Sequence, residues 1–140
     1  MLVRKAELKD ISELKRIVLD AFDDNAGVGE FICLIDSAER KAESVAANFG
    51  VTDFLVAEVD GRVVGFVEFL VVEWVCLVFN LFVEKKFQGK GIGGKLIEEA
   101  SKGCVEVRVV VSKNNAKALG FYKSLGFKEE VGSIGLRKKL

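Results

Sequence analysis

The 140-residue sequence contains no histidine and no proline, and it has one tyrosine, one tryptophan and three cysteines. The absence of histidine excludes imidazole catalysis and removes the commonest metal ligand. The cysteines, Cys33, Cys76 and Cys104, are far apart and lack the paired spacing of a zinc site. They are therefore predicted to be small core residues in a reducing cytoplasm, and no bound metal is expected.

The chain also lacks an excess of either charge, since it has 21 basic and 21 acidic side chains. This balance argues against nucleic acid as a partner. The charges are nevertheless unevenly distributed, because residues 1–60 carry 7 basic and 13 acidic side chains and residues 61–140 carry 14 and 8. We expect this asymmetry to reflect the binding partners of the protein and not its fold.

The longest apolar stretch, residues 66–83, is interrupted by Glu68, Glu73 and Asn80. Each acid near the centre of a membrane helix would cost ~2.5–3.5 kcal/mol, and the abundant Val and Phe favour a pair of buried strands. The first residues include acids and no apolar segment, so no signal peptide is expected. Residues 1–140 are therefore predicted to form a single soluble domain with no membrane partner.

Apolar periodicity and turn signals predict the element order β-α-α-β-β-β-α-β-α-β-β. This order indicates the α/β class (α+β type), with a mixed, mainly antiparallel sheet and helices on both faces. The strands are predicted at residues 2–5, 54–59, 63–71, 74–83 and 105–111, with a terminal hairpin from 127 to 139. The helices are predicted at residues 10–22, with Asp10 as the cap, and at 37–49, 95–101 and 114–125.

Two connections in this pattern carry most of the topology. Asp60-Gly61 is a strong hairpin signal between the second and third strands. The strand–helix–strand segment 74–111 is predicted to be a right-handed crossover whose two strands are parallel. Because ligands favour the carboxyl ends of such strands, the chemistry is expected there.

A glycine-rich segment, Gln88-Gly89-Lys90-Gly91-Ile92-Gly93-Gly94-Lys95, follows the first strand of this crossover. It contains the spacing of a dinucleotide-binding loop, Gly89-x-Gly91-x-x-Gly94, and most of a nucleotide-triphosphate P-loop. The P-loop interpretation is weakened at Leu96, where a magnesium-binding Ser or Thr is required. The dinucleotide interpretation is weakened because this loop lies two thirds of the way along a short chain.

These interpretations share one physical basis, which is anion binding by a helix N-terminus. Glycines let the backbone approach an anion closely, and the unpaired amides of the first helical turn point towards it. The eleven residues 85–95, which include this loop, contain four lysines, Lys85, Lys86, Lys90 and Lys95. The alternative is a glycine-rich turn with solvated lysines, although four glycines in six residues are entropically costly for an ordinary turn.

A second motif follows the loop: Asn115-Ala116-Lys117-Ala118-Leu119-Gly120-Phe121-Tyr122-Lys123-Ser124-Leu125-Gly126-Phe127. Together with Gln88–Gly93 it closely resembles the Gcn5-related N-acetyltransferase (GNAT) family, which has Gln/Arg-x-x-Gly-x-Gly/Ala and then Asn-x-x-Ala-x-x-x-Tyr-x-x-x-Gly-Phe. The order of elements matches along nearly the whole chain. Residues 79–83 resemble the fourth strand of the branch that acetylates protein amino termini, which is a weaker similarity.

The resemblance implies an acetyltransferase with acetyl-CoA as co-substrate, an amine as acceptor and no metal. It also implies that backbone groups of the fourth strand bind the pantetheine and face the thioester, while their side chains lie in the core. These strand residues are Leu81, Phe82 and Val83. The implied pyrophosphate loop consists of Gln88, Gly89, Lys90, Gly91, Ile92, Gly93 and Gly94. Asn115 would contact the pantetheine, with a plain helix cap as the alternative.

The resemblance makes Tyr122 the proton donor to the leaving thiolate, whereas packing on the apolar face of its helix is the alternative. The general base is less defined, because Val75 and Leu77 occupy the positions where many family members carry an acid. Glu73, expected on the same strand face one step earlier, and Glu68, on the preceding strand, are the candidate bases. A water relay is equally compatible, since a peptide α-amine has a pKa near 8.

The acceptor is left open as a small-molecule amine or a peptide N-terminus. The acidic loop 23–30 and the hairpin around Gly132-Ser133 are expected to border its site. Non-catalytic acyl-CoA binding is the alternative function, and a nucleotide-phosphate binder is the third. The resemblance also leaves a homodimer open.

Overall fold

The computed structural model describes residues 1–22, 37–111, 115–130 and 135–140. Its helices and strands follow the order predicted from the sequence. The strands are β1 (Leu2–Lys5), β2 (Asp53–Val59), β3 (Arg62–Val72), β4 (Val75–Val83), β5 (Glu106–Val110), β6 (Lys128–Glu129) and β7 (Gly135–Lys139). The helices are α1 (Ile11–Ala21), α2 (Ala38–Ala47), α3 (Ile92–Ala100) and α4 (Ala116–Ser124).

The seven strands form one sheet in the order β1-β2-β3-β4-β5-β7-β6. Every neighbouring pair is antiparallel except β4 and β5, which are parallel because α3 carries the chain back between them. The predicted mixed, mainly antiparallel sheet and its single parallel crossover are therefore confirmed.

Helices cover both faces of the sheet, as predicted. On one face, α1 and α2 enclose an apolar layer that includes Leu14, Ile17 and Phe66. On the other face, α3 and α4 pack over a second layer that includes Leu96 and Tyr122. Each layer forms because alternate strand residues point to opposite faces and both sets are apolar.

The two hairpin turns of the central strands differ in how well the sequence predicts them. Asp60 and Gly61 have φ of 51° and 78°, the positive values of a two-residue turn that matches strand twist, so this prediction is confirmed. Glu73 and Trp74 also have positive φ, of 48° and 67°, and form the β3–β4 turn. The prediction that the strand begins at Trp74 is therefore wrong, and β4 begins at Val75.

The helix boundaries differ from their predictions by one to three residues, and α4 spans Ala116–Ser124 within the predicted 114–125. Helix α1 does begin after Asp10, but the Asp10 carboxylate accepts from the Glu7 amide at 2.7 Å and pairs with Arg4, so it does not cap α1. Helix α2 ends at Ala47, two residues early. Helix α3 begins at Ile92 and not at Lys95, with left-handed Gly91 as its N-cap.

Some predictions concern residues outside the described ranges, namely the acidic loop 23–30, Asn114 and the hairpin tip at Gly132-Ser133. Within the described ranges, no helix has the length and apolar character needed to cross a bilayer.

Candidate active site

A crevice opens between β4 and β5 at the carboxyl ends of the two parallel strands. The strands pair only from Val75 to Val78 of β4, which face Glu106 to Val109 of β5. Beyond that point β4 continues to Val83 with β3 on one side and, among the described residues, no strand on the other. One edge of the β4 backbone is therefore free over its last residues.

The side chains of the predicted pantetheine segment are held in the two core layers, as expected. Leu81 and Val83 pack against the layer under α3. Phe82 points to the opposite layer, where its ring lies 5.7 Å from Phe66 and 6.5 Å from Phe22 between centroids. Because both faces are fixed by packing, the main chain of this segment is rigidly presented along the crevice.

Gln88 joins the end of β4 to the first turn of α4. Its Nε2 donates to the Val83 carbonyl oxygen at 2.8 Å, and its Oε1 accepts from Nζ of Lys117. The residue predicted to open the anion loop thus also contacts both the end of β4 and α4.

The loop that follows presents a run of free backbone amides. Gly89 and Gly91 have φ of 77° and 83°, which turn the chain into α3. Within the described residues, no amide from Gly89 to Gly94 donates to a protein acceptor, and the first helical bond is from Lys95 to the Gly91 carbonyl at 3.1 Å. Free amides at the positive end of a helix dipole are the geometry of a phosphate site.

Gly93 and Gly94 also serve helix packing, a second reason for glycine that the sequence does not reveal. A Cβ added at Gly93 would lie 2.9 Å from Cζ of Phe121. At Gly94 it would lie 3.4 Å from Cδ2 of Leu125. These two glycines therefore let α4 lie against α3 at the border of the crevice.

The four lysines of this region are not equivalent. Lys86 and Lys90 lie over the Phe87 ring, with Nζ 5.8 and 5.6 Å from its centroid. Lys95 instead pairs with Glu98 and Glu99 at 3.5 and 3.3 Å along α3, which raises its pKa. Lys86 and Lys90 are therefore gathered at Phe87, whereas the charge of Lys95 is partly neutralised along α3.

Asn115 and Tyr122 lie on the α4 side. Asn115 Oδ1 accepts from the Ala118 amide at 3.0 Å, so it caps α4. Tyr122 is buried, with Phe121 and Phe127 edge-on at 5.0 and 5.3 Å between centroids. Burial raises the pKa of the phenol, and no described residue hydrogen-bonds its hydroxyl.

The two candidate bases lie in different places. Glu73 is in the β3–β4 turn, so its expected position on the strand face beside Val75 is wrong. At about 3.3 Å per residue, it is roughly 25 Å along the strand from Leu81. Glu68 does lie on β3 opposite the crevice segment, but it is only 1% exposed.

Glu68 belongs to a buried polar cluster that the sequence analysis missed. Its Oε1 accepts from Asn80 Nδ2 at 2.8 Å, and its Oε2 accepts from Asn48 Nδ2 at 3.0 Å and Thr52 Oγ1 at 2.7 Å. Lys41 is near enough that the Glu68 charge partly offsets the lowering of its pKa by burial. The one available signal was Asn80, a polar residue inside an apolar strand.

The described ranges contain no group of three acidic or cysteine side chains arranged to hold a metal ion, and the expected absence of a metal stays a prediction.

Comparison with known proteins gives consistent matches. A family model described as the acetyltransferase (GNAT) domain matches residues 50–129, which include the crevice and both motifs. A PaiA N-acetyltransferase from Thermoplasma acidophilum, solved with coenzyme A, is 23% identical, with a TM-score of 0.74 over 99% of this chain and 98% of that chain. A GNAT family acetyltransferase from Brucella melitensis, solved with acetyl-CoA, is 25% identical, with a TM-score of 0.68 over 99% and 87%. A ribosomal-protein-alanine N-acetyltransferase from the same organism is 21% identical, with a TM-score of 0.65 over 100% of both chains.

Proposed function

The chain belongs to the GNAT acetyltransferase family, and we propose that it transfers an acetyl group from acetyl-CoA to a primary amine. The observation that carries this proposal is an edge of β4 that pairs with no described strand, beside six consecutive amides, Gly89 to Gly94, that have no acceptor among the described residues. The acceptor is proposed to be a small-molecule amine or a peptide N-terminus.

The coenzyme would bind mainly to the backbone. The free amides of Gly89 to Gly94 suit the diphosphate, and the crevice edge of Leu81 to Val83, where the Val83 carbonyl is already bonded to Gln88, suits the amide groups of pantetheine. Two structures with the same fold contain coenzyme A or acetyl-CoA, which supports this assignment. Lys86 and Lys90 add positive charge beside the same loop.

The reaction would begin with attack of a neutral amine on the thioester carbonyl. A C–N bond forms, the carbonyl oxygen becomes an oxyanion, and a free β4 amide donates a hydrogen bond to it. Such a preorganised donor contributes about 3–4 kcal/mol in other enzymes. The C–S bond then breaks, the thiolate leaves, and the nitrogen loses its proton to water, because no described carboxylate lies on the free edge.

Tyr122 is proposed to donate a hydrogen bond to the leaving thiolate and to relay to it the proton that the amine nitrogen released to water, so that the phenol is protonated before and after the step. Burial raises its pKa, so the phenol stays protonated at neutral pH and is available as a donor. A thiol has a pKa of about 8.5, so the hydrogen bond is favoured over early transfer. A buried tyrosine hydroxyl usually has a polar partner, and a bound thioester would supply one.

Coenzyme binding can be tested with two matched glycine variants. Gly91 and Gly103 have φ of 83° and 82°, and a Cβ would meet nothing within 4 Å at either site. Gly91→Ala and Gly103→Ala should therefore lose similar stability, but only Gly91→Ala should lose the thermal stabilisation by acetyl-CoA. Wild-type protein at 100 times Kd should gain about 2.7 kcal/mol. Stabilisation by ATP–magnesium and not by acetyl-CoA would contradict the proposal.

The role of the phenol can be tested with Tyr122→Phe. We expect kcat to fall at least tenfold while the affinity for acetyl-CoA changes less than threefold, because only the leaving-group step loses its donor. Turnover that is undiminished across the pH range would exclude this role.

A second candidate function is non-catalytic acyl-CoA binding. The observation that favours it is the absence of an ionisable side chain at Val75 and Leu77 of β4. A thiol-release assay over a panel of primary amines separates the two functions, since a binding module should release no coenzyme A above the background of hydrolysis. The cytoplasmic location and the homodimer stay predictions.

A further inference from the structure

The register of β4 changes at one residue. Strands β3 and β4 pair without interruption from Val72 and Val75 to Phe69 and Val78, and the next pair is Glu68 with Asn80. Phe79 is thus an extra residue, a β-bulge, and its side chain is 47% exposed. Parallel pairing with β5 also ends at Val78, so the bulge lies where the crevice begins.

Glu68 holds the first residue beyond this bulge. The carboxylate is 1% exposed, and both oxygens accept hydrogen bonds, one from Asn80 of β4 and the other from Asn48 and Thr52 beyond α2. Since an ionised carboxylate only accepts, all three groups must present their donors to it. The cluster therefore connects β4 to the α2 side through a single buried side chain.

We infer that Glu68 is a positioning residue that acts through Asn80 to keep β4 in its bulged register, and that it is not the general base. The expected effects on kcat/KM rest on the proposed function, because they assume that the protein transfers an acetyl group. Its structural content is the Glu68–Asn80 hydrogen bond at 2.8 Å beside the register break.

The alternative register explains why such an anchor is needed. Without the extra residue, Phe79 would pair with Glu68, and every later residue of β4 would point to the opposite face. Asn80 would then face the apolar layer under α3, while Leu81 and Val83 would leave it. The bond to the buried Glu68 carboxylate favours the bulged register because only that register brings the half-buried Asn80 amide to it.

The same contacts argue against proton abstraction by Glu68. Three donors occupy its two oxygens, and the Asn80 amide lies between the carboxylate and the β4 backbone. A general base must come within hydrogen-bond reach of the proton that it removes. The charged group that faces Glu68 from the packed elements is Lys41 on α2.

The test uses full-length Glu68→Gln, Asn80→Asp and the double variant. A glutamine can accept from Asn48 and Thr52 through its oxygen and donate to Asn80 after the Asn80 amide rotates, so Glu68→Gln should keep kcat/KM within about threefold. Asn80→Asp opposes two carboxylates and should lower kcat/KM at least 30-fold. Adding Glu68→Gln restores a donor between the strands and should raise kcat/KM at least tenfold above that of Asn80→Asp, to no less than a tenth of wild type.

Asn48→Asp is the matched control, because it also opposes a carboxylate to Glu68 but does not touch β4. It should lower the thermal midpoint as much as Asn80→Asp and lower kcat/KM less than fivefold. Amide hydrogen exchange in Leu81–Val83 should accelerate in Asn80→Asp and not in Asn48→Asp, and this readout requires no activity.

Several outcomes would overturn the inference. Loss of activity in Glu68→Gln with unchanged exchange would make Glu68 the base. If Asn48→Asp and Asn80→Asp had equal effects on amide exchange and on kcat/KM, the cluster would stabilise the fold without specifically holding the register of β4. If Asn80→Asp does not fold, the Glu68→Gln/Asn80→Asp double variant tests the inference instead. A kcat/KM of the double variant below a tenth of the wild-type value would contradict it. Wild type that gains no stability from acetyl-CoA would refute the proposed function and leave the exchange result standing.

Discussion

The two halves of β4 are both mainly apolar but have different surroundings. The first half, Val75–Val78, lies between β3 and β5, and its Cys76 and Val78 side chains are at most 4% exposed. The second half, Asn80–Val83, has β3 on one side and the crevice on the other. The first half of this strand therefore stabilises the sheet and the second half leaves one backbone edge for a ligand. The bulge residue Phe79 separates the two halves.

Hydrogen bonds that involve side chains hold the second half of β4, which has a described strand on one side only. Asn80 is bound to Glu68, and the Val83 carbonyl is bound to Gln88. Directly after the strand, the buried Glu84 carboxylate accepts from Arg16 and Arg62 at 3.1 and 2.6 Å. These four hydrogen bonds therefore anchor the half of β4 that lacks a described strand on its other side.

The largest loss of stability and of coenzyme affinity is expected from Gly93→Val. This substitution is in α3, which packs beside the second half of β4. Its Cβ would already lie 2.9 Å from the Phe121 ring, so the branched side chain should separate α4 from α3. We expect a loss of about 2–3 kcal/mol in the free energy of unfolding and at least a tenfold weaker affinity for acetyl-CoA. Urea denaturation and calorimetric titration measure the two effects.

Gly120→Ala is the control for that substitution. Gly120 lies inside α4, and a Cβ there would meet nothing within 4 Å. Alanine should stabilise the helix by about 0.5–1 kcal/mol and leave the affinity for acetyl-CoA unchanged. Equal effects of the two variants would mean that the contact between α3 and α4 does not shape the crevice.

Local patterns predicted most of the fold and the position of the coenzyme loop. Alternating apolar residues define strands, Asp60-Gly61 defines a turn, and the glycines after β4 signal a helix N-terminus, all within a few residues. The start of α3 could not be predicted in this way. Glycine disfavours helix, but Phe121, 28 residues later in the chain, requires a glycine at position 93.

The polar cluster and the true position of Glu73 depend on contacts that no local pattern encodes. Glu68 meets Asn48, Thr52 and Asn80 across 12 to 20 residues of sequence, and only the sheet register brings them together. Glu73 and Trp74 are not residue types typical of turns, and apolar residues adjoin them on both sides, so the pattern places Glu73 beside a strand and not at the tip of a hairpin. Whether a polar residue lies on a strand or between two strands is decided by pairing.

A smaller and more selective change is expected from Cys76→Ala in the first half. Cys76 is fully buried, and burial raises its thiol pKa to about 12, so it packs as a neutral apolar group. Its removal should cost about 1–1.5 kcal/mol of stability without changing the affinity for acetyl-CoA. A parallel loss of affinity in titrations on folded protein would show that the two halves are coupled through the bulge.

The smallest effect concerns Tyr122, whose ring lies in the core layer that also holds the first half of β4. Burial raises the folded-state pKa of the phenol, so its contribution to stability is complete below the unfolded pKa of about 10 and is lost as the pH rises towards the folded pKa. Between pH 8 and 10.5 the wild type should therefore lose about 0.8 kcal/mol more than Tyr122→Phe, since only the unfolded phenol ionises in that range. Lysines titrate equally in both proteins, so the difference between two urea series isolates this group. If both proteins lost the same stability between pH 8 and 10.5, the Tyr122 hydroxyl would be as solvated as in the unfolded chain. Tyr122 would then be grouped with the second half of β4, which borders the crevice.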